Sequence, residues 1–88
     1  MKFYKIMLRD FLSAYAEAFR TDRNLSQEQM AEKLRISPRA YSNLKRGRYC
    51  FSILPLLSLL LLLDSQEFEL FQANLRGKLS TLEAAHES

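Results

Sequence analysis

An all-α fold of five helices is the fold class that the sequence predicts, and three observations predict it. The 88 residues include only two Gly and two Pro, so long stretches lack the turn dipeptides that separate short strands. Apolar residues recur at spacings of three and four, the period of an amphipathic helix. Helix-capping residues precede several of these segments. Because a chain of this length fits one small domain, we expect residues 1–88 to form a single domain.

The first part of the chain contains two predicted helices separated by a polar break at residues 21–24. We expect helix 1 at about residues 3–20. Its apolar stripe consists of Leu8, Phe11, Leu12, Tyr15 and Phe19. Ser26 can cap helix 2 while Gln29 reaches back to it, an arrangement known as a capping box. The buried side of helix 2 consists of Met30, Ala31 and Leu34.

Helix 3 has clear start and stop signals. Ser37 is a preferred N-cap, and Pro38 falls at the first helical position, where its missing N–H has no cost. Gly47 follows the last turn, in the usual position for a helix-ending glycine. The inward stripe consists of Ala40, Tyr41 and Leu44. Only residues 35–36 separate helices 2 and 3, which is the helix-turn-helix spacing, with the motif at about 26–46.

The last part of the chain, residues 53–85, is predicted to form a leucine-rich helix 4 and a C-terminal helix 5. Ser52 is the expected cap of helix 4. Residues 53–63 form an apolar run of eleven residues, and a bilayer span needs roughly twenty, so we expect no membrane span. Asp64 and Glu67 mark the start of helix 5, and whether Gly77 divides it stays open. Its stripe consists of Phe68, Phe71, Leu75, Leu79 and Leu82.

Positive charge is concentrated in the middle of the chain. Residues 20–48 contain eight basic and three acidic residues, a net charge of +5, whereas residues 52–88 carry −3. This distribution indicates a surface for a polyanion.

The sequence offers little for catalysis or metal binding. Cys50 and His86 are the only residues of their types, so no internal disulfide and no zinc site of the usual kind can form. No nucleophile–histidine pair is evident, and we expect neither an enzyme nor a cofactor. The first residues lack the apolar run of a signal peptide, so we expect a protein of the reducing cytoplasm.

The segment from about Leu25 to Leu63 resembles the phage-repressor and Cro-like helix-turn-helix proteins, the XRE family. The resemblance includes Gln27 at the first position of the motif, Ala31 at the fifth and Leu44 at the eighteenth. It implies a DNA-binding protein whose recognition helix, residues 38–46, lies in the major groove of double-stranded DNA.

The sequence departs from this family pattern at two positions. Arg35 stands at the turn position where the family commonly has Gly, so it must adopt a left-handed conformation that costs on the order of 1 kcal/mol. Tyr41 stands where the family usually has Ile or Val, so its hydroxyl needs a partner or an exit to water.

The resemblance assigns candidate DNA contacts. Arg39 is the leading base-reading candidate, because a guanidinium can bind guanine O6 and N7 together. Asn43 is a candidate for either adenine or phosphate. The full set of candidate base contacts is Ser37, Pro38, Arg39, Ser42 and Asn43. The candidate phosphate contacts are Gln27, Arg35, Lys45, Arg46, Arg48 and Tyr49.

Helix 4 is apolar around almost its whole circumference, and a helix of that kind must be buried on all sides. Either helix 5 covers what helices 1–3 leave exposed, or a second subunit does. We expect a homodimer. Its interface is expected to consist of Leu56, Leu57, Leu60, Leu61, Phe68, Phe71 and Leu75.

The expected function is transcriptional control by a bacterial, phage or mobile-element protein, most simply repression through an inverted-repeat operator. An antitoxin that regulates its own operon is a variant of this function, and a protein partner such as a toxin or an antirepressor stays open. The rival from another class is a protein-interaction module with this fold that does not bind DNA.

Overall fold

The computed structural model describes residues 2–87, and the side chains of residues 3–85, so His86 lies outside the described side chains. Five helices follow one another in this range, with no strand between them. They are α1 (Lys2–Asp22), α2 (Gln27–Lys33), α3 (Pro38–Lys45), α4 (Ile53–Leu62) and α5 (Ser65–Glu87). The predicted all-α class and the order of the helices are confirmed.

Capping groups determine where most of these helices begin. Ser26 and Gln29 form the predicted capping box of α2. The Ser37 hydroxyl accepts a hydrogen bond from the Ala40 N–H at 3.1 Å and so caps α3. Asp64 and Glu67 form the corresponding box before α5, which is continuous through Gly77. Ser52 precedes α4 as expected, but its side chain makes no capping hydrogen bond, so that part of the prediction is wrong.

Three helices end in the same way, with a left-handed residue just past the last turn. These residues are Asn24, Arg35 and Gly47, with φ of 55°, 62° and 73°. In each case the next two N–H groups bond back to carbonyls of the final turn, which is the Schellman arrangement. The left-handed conformation predicted for Arg35 is therefore present, at the position where glycine would adopt it without strain.

The core lies where α1, α2 and α3 meet, with α4 and α5 added on separate sides. Helix α2 packs against α3 and α4, whereas α5 packs against α1. The buried cluster consists of Leu12, Ala16, Phe19, Met30, Ala31, Leu34, Tyr41, Leu59 and Phe71. Phe71 lies 5.5 Å from Phe11 and 4.9 Å from Tyr15, measured between ring centroids. Because α5 lies on α1, it does not cover the outer face of α4.

Candidate nucleic-acid interface

Helix α3 exposes its first turn and buries its opposite face. Tyr41 is 1% exposed and Leu44 is also buried, so these two side chains hold the helix against the core. Pro38 and Arg39 are exposed, while Ser42 and Asn43 are half-buried. Ser37 is exposed as well, although its hydroxyl is engaged in capping the helix. Arg39 has no ion-pair or hydrogen-bond partner within the described residues, so its guanidinium is available to a ligand.

Two polar contacts from α1 fix the orientation of α3. The Tyr41 hydroxyl donates a hydrogen bond to Glu17 Oε2. The Ser13 hydroxyl donates to the backbone carbonyl of Leu44 at 2.6 Å. The hydroxyl that distinguishes Tyr41 from an aliphatic residue is thus satisfied inside the protein, and it adds a directional bond to the apolar contacts of α3.

The carboxylate of Glu17 is the centre of a charged cluster between α1 and α3. Arg20 donates to it through Nε and Nη2, at 3.0 and 2.6 Å, and Lys45 Nζ lies 3.8 Å from Oε1. The hydrogen bonds from Arg20 hold the pKa of Glu17 below its ordinary value, and that from Tyr41 acts in the same direction against partial burial. Burial, reinforced by Glu17, raises the pKa of Tyr41. The stable state is therefore an ionised Glu17 beside a neutral Tyr41.

The turn between α2 and α3 is tied to α4 through Arg35. Its Nη1 donates to the Ser58 hydroxyl at 2.9 Å, and Ser58 is only 1% exposed. A phosphate contact by Arg35, as predicted, would have to use the remaining guanidinium nitrogens. Gln27, the other predicted phosphate contact on this side, is the first residue of α2 and is half-buried.

The remaining predicted phosphate contacts lie at the end of α3 and just beyond it. Arg46 is the C-cap residue, and both Arg46 and Arg48 are exposed. Tyr49 is 62% exposed. Lys45 is exposed but lies next to Glu17, so one acidic group partly neutralises it. The exposed first turn of α3 is therefore followed, at the other end of the helix, by a group of cations.

The residues predicted to form a dimer interface have two different environments. Leu57, Leu61 and Phe68 are exposed, whereas Leu56, Leu60 and Leu75 are half-buried against the core. Phe71 is 5% exposed and packs inside its own subunit, so the expected position of Phe71 on the outer surface is corrected. The uncovered apolar stripe of α4 consists of Ile53, Leu54, Leu57 and Leu61.

Two residues of this region were not identified from the sequence as contributors to it. Ser58 was visible only as a polar interruption in the leucine run, and its partner Arg35 is 23 residues away. Glu17 could be paired with Arg20 from their spacing of three residues. Nothing in the sequence indicates that Glu17 also contacts Tyr41.

Membrane and metal features were also considered for the described residues. None of the described helices is both long and apolar enough to span a bilayer. Within the described part of the chain there is no group of three or more His, Cys, Asp or Glu that could hold a metal ion.

A short exposed helix, held by buried anchors after a tight turn and followed by cations, defines a helix-turn-helix DNA-binding domain. The sequence comparisons agree with this class. A family model described as helix-turn-helix matches residues 17–70, which are 54 of the 88 residues. The chain therefore belongs to the XRE-type helix-turn-helix family of DNA-binding transcription regulators. Neither a curated protein nor a solved structure matches the chain.

Proposed function

We propose that this protein is a cytoplasmic, sequence-specific repressor that binds an inverted-repeat operator as a homodimer. In this proposal residues 1–88 act as one domain, and each subunit inserts the recognition helix, residues 38–46, into the major groove. The observation that carries the proposal is the unpaired, exposed Arg39 on the first turn of a helix whose other face is anchored by Tyr41 and Leu44. An arginine at such a site can read guanine with two hydrogen bonds.

The other predicted contacts complete this arrangement. Ser37, Pro38, Ser42 and Asn43 supply the remaining base contacts, and Pro38 offers only an apolar surface. The backbone contacts come from Gln27, Arg35, Lys45, Arg46, Arg48 and Tyr49. These contacts position the protein on the duplex without reading its sequence.

Dimerisation through α4 would give the protein the two-fold symmetry of an inverted repeat. Two recognition helices about 34 Å apart would then meet successive major grooves on one side of the duplex. The uncovered stripe Ile53, Leu54, Leu57 and Leu61 supports this proposal, because an apolar helix face of this kind is stabilised by burial.

The experiment that tests the proposal is selection from a random duplex pool, followed by a salt titration of the selected site. We expect an inverted repeat whose affinity falls steeply with salt. Arg39→Ala should cost about 1–3 kcal/mol on that site and relax the preference at one base position. Arg39→Lys is the matched control, since it keeps the charge and loses the two-pronged geometry. An equal loss on every sequence would assign Arg39 to phosphate instead.

A second candidate function is supported by the same α4 stripe. A helix-turn-helix domain that does not bind DNA would use this stripe to hold a protein partner. An autoregulating antitoxin combines both functions, with a toxin bound to the stripe or to another surface. Selection that recovers no preferred duplex, with only weak and unselective binding, would favour the interaction module.

A further inference from the structure

A basic cleft of about 400 Å³ lies between the first half of α1 and the loop that follows α3. Its lining consists of Lys5, Ile6, Arg9, Arg48, Tyr49 and Cys50. We refer to these six residues as the α1 cleft. The Cys50 thiol lies 3.9 Å from the backbone carbonyl of Lys5, to which it donates, so the loop and the helix are in contact. A Cβ atom placed on Gly47 would lie 3.6 Å from Arg9 Nε, which puts Arg9 beside the end of the recognition helix.

The α1 cleft carries more positive charge than its surroundings neutralise. Arg9 pairs with Asp10 through Nε at 3.0 Å, and its two terminal nitrogens have no partner among the described residues. Lys5 and Arg48 are exposed and form no ion pair with a described residue. Three cations therefore face one carboxylate, which favours binding of an anion at this position.

The position of the α1 cleft determines which anion is expected. Arg48 and Tyr49 directly follow the recognition helix, where backbone contacts are proposed. Lys5 and Arg9 lie in the first 16 residues, outside the matched segment 17–70, so the family motif assigns them no role. A duplex bound to α3 would pass close to this side of α1, since Arg9 lies against Gly47 at the end of α3.

We propose that the α1 cleft binds backbone phosphate of the DNA that flanks the half-site read by α3, with Lys5 and Arg9 as the contacting cations. This proposal rests on the proposed function. Phosphate is a sequence-independent ligand, so the α1 cleft strengthens binding without changing which bases are preferred. It lengthens the footprint of each subunit beyond the helix-turn-helix motif.

The test compares the double variant Lys5→Ala/Arg9→Ala with wild type by salt titration on the selected duplex. Each lost phosphate contact lowers the steepness of the dependence of log K on log salt by about 0.9. We expect a decrease of about 1–2 and, at 0.1 M salt, a loss of roughly tenfold per contact. The loss should be equal on selected and unrelated duplexes. Lys5→Gln/Arg9→Gln, which retains side-chain length and helical preference, should give the same result if the alanine variant is poorly folded.

The matched control is Arg76→Ala/Lys78→Ala, which removes the same charge from two exposed positions of α5 outside the α1 cleft. If both double variants change the salt dependence equally, only net charge matters and the proposal is overturned. It is also overturned if the α1 variants bind like wild type. Trimming base pairs from the ends of the duplex should weaken wild type and leave the α1 variants unaffected. Failure of wild type to select any duplex would instead contradict the proposed function itself.

Discussion

The Tyr41 hydroxyl of the recognition helix donates a hydrogen bond to the Glu17 carboxylate of α1, across 24 residues of sequence. Arg20 holds the same carboxylate from the preceding helix turn's spacing, so the acceptor is ionised and fixed in position. An aliphatic residue at position 41 could anchor α3 only through non-directional packing. The tyrosine adds a bond that specifies the rotation of α3 about its own axis, and with it the direction of Arg39.

The first prediction concerns this bond. Tyr41→Phe should lower the free energy of unfolding by about 1–2 kcal/mol, because a hydrogen bond to a charged acceptor is lost. Glu17→Gln should also destabilise the protein. The double variant should lose less than the sum of the two, with a coupling energy of about 0.5–3 kcal/mol. Denaturant unfolding of the four proteins measures this cycle.

Tyr15→Phe is the control for the removal of a hydroxyl. Tyr15 is also a half-buried tyrosine of this region, and its ring packs against Phe71. Its hydroxyl has no hydrogen-bond partner among the described residues, so its removal should change stability by a few tenths of a kcal/mol at most. If Tyr41→Phe and Tyr15→Phe have the same small effect, the bond to Glu17 contributes nothing in solution.

The second prediction is a pH dependence that arises from Glu17. Its pKa in the folded protein is held below the ordinary value of 4.5, chiefly by Arg20, so the folded state favours the ionised form. The stabilisation is therefore complete above about pH 4.5 and is lost as pH falls through the lower, folded-state pKa. Thermal unfolding between pH 2 and 7, a range of about five units around that transition, should show a shallower acid decline for Glu17→Gln.

Glu69→Gln is the control for the pH experiment. Glu69 is an exposed residue of α5 and forms no ion pair with a described residue. Its substitution should leave the acid decline as in wild type. Equal flattening by both variants would show that overall charge, not the cluster around Glu17, sets the acid sensitivity.

Local features of this fold could be predicted from the sequence, whereas its contacts between distant residues could not. Capping boxes, Pro38 and Gly47 located the helix ends, because these signals act within a few residues. The left-handed Arg35 followed from the motif. The partners of Tyr41 and Arg35 depend on how the helices cross, which no local pattern specifies. Phe71 was expected on the outer surface because the period of helix 5 does not say which neighbour covers it.

The third prediction separates the two effects of Arg35. Its φ of 62° should cost on the order of 1 kcal/mol relative to glycine, while its bond to the buried Ser58 stabilises the protein by a similar amount. Arg35→Gly should therefore change the stability of wild type little. In a Ser58→Ala background, where the bond is already absent, Arg35→Gly should stabilise the protein by about 1 kcal/mol.

Chemical denaturation of the four proteins checks this difference. The result that contradicts it is equal stabilisation by Arg35→Gly in both backgrounds, since the arginine would then have no bond to lose. Arg35→Lys is a further control. It keeps the strained backbone and the charge but lacks the guanidinium nitrogen that reaches Ser58, so it should be less stable than wild type.

The fourth prediction concerns the uncovered stripe of α4. Leu57 and Leu61 are 52% and 77% exposed in the subunit, so acidic substitutions there leave the core intact. Leu57→Glu/Leu61→Glu should remain folded but should no longer dimerise, because charges would be buried without partners at the interface. Sedimentation at tens of micromolar, on the order of the concentrations at which modest dimers assemble, should give a dimer for wild type and a monomer for the variant.

DNA binding distinguishes loss of the dimer from loss of the recognition surface. The α4 variant should bind a single half-site as wild type does, while its affinity for the full inverted repeat should fall because the second subunit no longer adds its contacts. Leu70→Glu is the matched control, since Leu70 is 61% exposed on α5 and outside the predicted interface. A wild-type protein that sediments as a monomer would contradict the dimer, and so would Leu70→Glu disrupting it as strongly as the α4 substitutions.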